Sequence, residues 1–161
     1  MMKQNLIVAA LILLCSLLFG CGSPTPQNLT PEQRKSAVIL APKDKVWKVL
    51  ISTIGMNWTI QTMDRESGLL TTKDGVVGVG YNNAGMEEFV YPPQVFMGTW
   101  NGMRMSLKIL AVENEPGKTT VTINAAYAVY EDNVMHSWVQ AKSNGSFENQ
   151  MLAGIEKKVK E

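Results

Sequence analysis

Cysteine and histidine are nearly missing from this 161-residue chain, which holds Cys15, Cys21 and His136 and no others of either type. So few thiols and imidazoles exclude a disulfide framework and most Cys/His metal centres. An excess of one charge sign is missing too, since 15 basic and 14 acidic residues leave a formal net charge of +1. With neither a basic footprint nor an acidic tail, nucleic acid is not an expected partner. With a single His, no free Cys outside the leader region and no clustered carboxylates, an acid, a base and a nucleophile cannot be assembled without using His136 alone. The chain is therefore expected to be no enzyme, with no metal and no cofactor.

Long apolar runs are also absent, except at the N-terminus. Lys3 precedes an almost unbroken apolar run over residues 6–19, and Gly20 and Cys21 follow it. Its 14 residues fall short of the roughly 20 that span a bilayer, so residues 1–20 read as a secretory signal peptide. Leu18-Phe19-Gly20-Cys21 resembles the bacterial lipobox, with Phe19 bulkier than the small residue usual at that position. The resemblance implies cleavage before Cys21 and a diacylglycerol on its sulfur. A general secretory cleavage site and an uncleaved anchor are the alternatives. Cys15 leaves with the leader, so Cys21 has no disulfide partner within the mature chain. Two or more acyl chains anchor a protein stably where one does not, so the membrane is an expected partner through acylated Cys21. Gly22 stands where Asp would signal retention, so the same resemblance implies an outer-membrane lipoprotein facing the periplasm.

Residues 21–35 form the lipidated N-terminus and a tether, in which GSPTPQN (22–28) is small, uncharged and proline-containing. Thr30, Pro31 and Gln33 match a helix start of one turn. Residues 36–161 are expected to be a single α+β domain. Residues 36–41 (SAVILA) suit a buried first strand that ends at Pro42. Trp47, Leu50, Ile51 and Ile54 then recur at helical spacing, with Gly55 as the stop. Alternation over 58–64, an Asp64 to Gly68 turn and residues 69–73 predict a hairpin. Residues 74–102 are the least regular, with short strands expected near 76–81 and 94–100. Met103, Met105, Leu107 and Ile109 alternate with polar residues, Pro116-Gly117 turns the chain, and 119–130 alternates again. These two strands predict the strongest hairpin. Phe147, Met151, Leu152, Ile155 and Val159 give a C-terminal helix with Lys157, Lys158 and Lys160 in its last turn. An antiparallel sheet with an N-terminal crossover helix and a long C-terminal helix packed on it buries all these faces.

That order, with Val46-Trp47 opening the helix, the Asp64 to Gly68 turn, and Thr71 and Thr72 ending a strand, resembles the helix-grip domains of outer-membrane assembly lipoproteins of the BamC (NlpB) type. The resemblance covers residues 36–73, and its matching residues are structural. It implies a helix-grip-like fold and an envelope assembly partner.

GVVGVG over 75–80 lacks the order and the following helix of a dinucleotide fingerprint, and reads as a loop or a glycine-bearing strand. Glu131, Asp132 and Ser137 beside His136 are what a polar loop supplies. Asn28, Asn57 and Asn144 fit the glycosylation pattern, which a bacterial lipoprotein makes incidental. Met86, Phe89, Tyr91, Phe96, Met97, Trp100, Met103 and Met105 lie among glycines and prolines. Such residues either fill the core or line a groove between sheet and long helix, since methionine adapts its shape to varied partners. Tyr91, Phe96, Trp100, Met103 and Met105 are the candidate groove residues, with Glu87 and Glu88 at its rim. The expected function is a lipid-anchored, non-catalytic adapter for an envelope assembly or transport complex. The alternative is a module that shelters a small apolar ligand or lipid between the sheet and the C-terminal helix.

Overall fold

The structure is a computed structural model, and it describes residues 34–77, 85–91, 93 and 99–161. In chain order the elements are β1 (Ser36–Ile39), α1 (Lys43–Gly55), β2 (Ile60–Asp64), β3 (Leu69–Thr72), β4 (Gly75–Val77), a 3₁₀ turn at Met86–Glu88, β5 (Val90–Tyr91), β6 (Trp100–Glu115), β7 (Lys118–Glu131), β8 (Ser137–Ser143) and α2 (Ser146–Lys160). The leader, Cys21 and the expected helix start at Thr30 lie outside the described residues. None of the helices among the described residues is long and apolar enough to cross a membrane.

Strands β6 and β7 pair antiparallel along almost their whole length, from Trp100 opposite Glu131 to Glu115 opposite Lys118. Side chains alternate across a strand, so this register puts Met103, Met105, Leu107, Ile109 and Ala111 on one face with Val121, Ile123, Tyr127 and Val129. All nine are buried. Each long strand is then flanked by two shorter ones placed end to end. Along β6, Leu69 to Thr71 face Lys108 to Leu110, and Gly75 to Val77 face Met103 to Met105. Between them the register slips by one residue, and the hydroxyl of Thr72 accepts the Leu107 N–H at 2.9 Å in place of a backbone carbonyl. Along β7, β1 covers Thr119 to Thr122 and β8 covers Tyr127 to Glu131. Strand β2 closes one side beyond β3, and β5 the other beyond β8, so the eight strands form an open antiparallel sheet.

Both helices lie on the apolar face. Helix α1 buries Val46, Trp47, Leu50 and Ile54, and α2 buries Leu152, Ile155 and Val159. At about 1.5–3 kcal/mol for each fully buried large apolar side chain, these two stripes hold the helices down. The expected α+β fold, with a crossover helix and a long C-terminal helix packed on an antiparallel sheet, is the fold observed.

Residues 132–136 form a loop around His136, and strand β8 after it is an element that the sequence pattern does not single out. It is half-legible as a strand. Val139 and Ala141 point inward, but Trp138 stands 40% exposed on the outer face, so the usual contrast between faces is lost.

Candidate functional site

The start of α2 is built around a buried acid. Glu148 is fully buried, and its carboxylate accepts both contacts of the Ser143 hydroxyl, at 2.8 and 2.9 Å. The Ala125 N–H also reaches it, at 3.4 Å. Ala125 lies on β7 between the stretches covered by β1 and β8, where no strand supplies a carbonyl. The side chain of Glu148 therefore completes a gap in the sheet and fixes the first turn of α2 against it. Lys35 stands 4.0 Å away at the rim.

Asn144 fixes the neighbouring segment. Its side-chain amide donates to the carbonyls of Glu87 and Glu88 at 3.0 and 2.9 Å, and its N–H donates to Phe89 at 3.0 Å. The same side chain accepts the N–H of Ser146, the first residue of α2, at 2.9 Å. One residue thus ties the 3₁₀ turn and Phe89 to the helix that carries Phe147.

These two anchors frame a cleft of about 280 Å³ between α2 and the sheet, lined by Asn57, Trp58, Val76, Val77, Phe89, Met105, Tyr127 and Phe147. Phe147 is its centre. Its ring meets Trp58 edge-on at 5.8 Å and Phe89 at 6.2 Å, the edge-to-face geometry aromatic rings prefer. Among the described residues, no lysine, arginine, aspartate or glutamate lines the cleft. Tyr127, side by side with Met105 across β6 and β7, is 1% exposed, and its hydroxyl has no hydrogen-bond partner. Burial, and secondarily the charge of Glu148, push the phenol well above its ordinary pKa, so it remains a neutral donor.

A larger hollow of about 460 Å³ lies at the far end of α2, lined by the β1 to α1 connection with Lys45, Glu156, Val159 and Lys160. It has no aromatic residue, and charges of both signs border it. The smaller cleft has the composition of a ligand site, predominantly apolar with a few polar groups, Asn57 and Tyr127 among them.

The expected groove residues do not come together. Met105 lines the cleft, while Met103 and Trp100 are buried in the core among residues of the sheet and helices. Tyr91 is 49% exposed on β5 with the Lys142 ammonium over its ring at 5.9 Å. Phe96 and Met97 lie outside the described residues. Met86 is core, Phe89 reaches the cleft, and Glu87 and Glu88 are exposed beside it. Trp58, Tyr127 and Phe147 are the residues the sequence reading does not single out. Each was legible only as a strand or helix position, because the cleft joins segments about 70 and 20 residues apart in the chain, a separation that no local spacing records.

His136 sits alone and exposed, with a left-handed φ of 46°. Beside it Glu131 is fully buried, its carboxylate accepting the N–H groups of Thr99, Asn133, Val134 and Met135. That arrangement organises a loop. Among the described residues no group of three or more His, Cys, Asp or Glu side chains could hold a metal ion.

No protein-family model matches the chain, and no curated protein matches it.

Proposed function

We propose that this chain is a lipid-anchored envelope protein whose domain shelters a small uncharged apolar ligand in the cleft between its sheet and α2, without catalysis. The observation that carries the reading is the cleft itself: four aromatic residues and Met105 around about 280 Å³, with the buried, unpartnered hydroxyl of Tyr127 among its lining residues. That volume falls just below the range of about 300 to 1,000 Å³ typical of drug-sized ligands, which suits a smaller molecule. Leu18 to Cys21 supports the anchor, holding the domain at the periplasmic face of the outer membrane.

A second reading, the envelope adapter, has its own observation. Val38, Leu40, Leu110 and Val112 are exposed apolar residues toward the turn end of the long hairpin, Leu40 at 80%, and exposed apolar patches serve as contact surfaces.

Native mass spectrometry of the full chain released from lipid nanodiscs separates the two. The carrier reading expects an added small-molecule mass in the natural protein that Val77→Phe, which fills the cleft, loses. A bare mass in both proteins, with a partner captured only when Leu40 is intact, overturns the carrier and supports the adapter.

A further inference from the structure

Resting on that cleft reading, we infer the chemical class of the ligand: an uncharged molecule with an apolar, ring-sized body and one hydrogen-bond acceptor that takes the proton of the Tyr127 hydroxyl. The argument starts from that hydroxyl. A buried polar group without a partner costs the full desolvation of the group, and native folds leave few of them. Elsewhere this chain meets its buried hydroxyls: Thr72 accepts from Leu107, Thr119 donates to the Ala41 carbonyl at 2.8 Å, and Ser143 donates to Glu148. Tyr127 is the exception among the buried tyrosine, serine and threonine side chains described, and its residue lines the one aromatic cleft.

Charge then selects among acceptors. A carboxylate or phosphate would be the strongest acceptor for a phenol. Here it would enter without a cation, since none lines the cleft among the described residues. It would also approach Glu148, whose own carboxylate is buried and whose charge is felt at Tyr127. Lys35, the cation closest to Glu148, is 47% exposed at 4.0 Å from it and is already engaged. An isolated anion in such surroundings costs far more than one hydrogen bond returns. A ketone, ester, ether or alcohol accepts the same proton at no such cost. The hydroxyl is sealed from solvent, so the half-buried rings of Trp58, Phe89 and Phe147 would have to move for a ligand in the cleft to reach it.

The test compares three probes of one shape on the full chain in lipid nanodiscs: acetophenone, ethylbenzene and benzoate. Empty nanodiscs correct for partitioning into lipid, and the ¹³C-methyl resonance of Met105 reports occupancy of the cleft. The natural protein is expected to bind the ketone and the hydrocarbon, and to bind benzoate at least about tenfold more weakly than the ketone. Tyr127→Phe is expected to keep the hydrocarbon and to weaken the ketone by roughly threefold or more, the size of one net neutral hydrogen bond. Because the variant removes a hydroxyl that has no partner, it is also expected to melt no lower than the natural protein. A ketone-to-hydrocarbon ratio unchanged by Tyr127→Phe, or benzoate binding as well as the ketone, overturns the inference while leaving the cleft reading intact. A variant that melts several degrees lower shows that the hydroxyl has a partner within the fold and also overturns it. If none of the probes shifts Met105, the cleft reading fails and this inference with it.

Discussion

Single residues in this fold carry constraints that their type alone does not announce. Gly68 closes the β2 to β3 turn with φ +77°, and a Cβ placed there would stand 2.0 Å from the Ala111 carbonyl oxygen. Both the left-handed backbone and the close strand demand glycine. Gly68→Ala should cost at least about 2 kcal/mol, from a non-glycine residue in a left-handed conformation plus displacement of β6, read as a lower midpoint in urea. Glu131 shows the opposite case, a charged residue whose charge is the point. Burial raises its pKa, but the N–H groups of Met135, Asn133, Val134 and Thr99 outweigh burial and hold it at about 2, against 4.5 for a free glutamate. Its folded pKa is depressed, so its contribution to stability is complete above pH 4.5 and fades as pH falls toward 2. Glu131→Gln should therefore lower the melting temperature at pH 7, and the gap between the two proteins should narrow as pH drops through that window. A gap of constant size down to pH 2 would show that the charge contributes nothing to holding the loop.

At the scale of elements, what the sequence reveals depends on how often a face repeats. Helix α1, helix α2 and the β6 to β7 hairpin each repeat one buried face over many residues, so their periods stand out against any single exception. Trp47 is the largest member of the α1 stripe and is 4% exposed, so Trp47→Ala should cost about 3–5 kcal/mol in a urea melt. Elements whose identity rests on one tertiary contact are illegible by the same logic. Strand β8 has two half-buried apolar residues and an outward tryptophan that meets Tyr130 edge to face at 5.4 Å and lies beneath the Arg104 guanidinium at 4.6 Å. Nothing local separates that pattern from a polar loop. Glu148 goes unmarked in the sequence, because the gap in β7 that it fills lies 23 residues away. The cleft is the extreme instance, since Met105 alone of the expected groove residues with a described position lines it, the others being spent on the core or on the surface. Its frame depends on Asn144, which makes two side-chain donations to the 3₁₀ turn and accepts from Ser146. Asn144→Ala should cost about 1–2 kcal/mol and speed hydrogen exchange at residues 86–91 and in the first turn of α2, while the centre of the β6 to β7 hairpin keeps its protection. Uniform acceleration across the molecule would mean that the cleft has no local stability of its own.

At the scale of the whole molecule, anchor and domain are separable problems. Among the described residues, every buried member of the core cluster lies between Ile39 and Val159. The connection between Cys21 and Ser36, the first residue of β1, is about 15 residues and spans at most roughly 50 Å when fully extended. A domain held that closely by the proposed acylation of Cys21 would meet whatever partitions into the membrane surface at high local concentration. The acyl chains and the cleft would then act together, one setting where the protein samples and the other what it retains. Cys21→Ser should remove the chains without touching the cleft. The variant is expected to leave the membrane fraction after a high-salt wash and to melt as the natural domain does, with the Met105 methyl unchanged. Retention in the membrane would instead make residues 6–19 an uncleaved anchor. A shifted Met105 methyl would show that the N-terminal segment reaches the cleft, and anchor and site would no longer be independent.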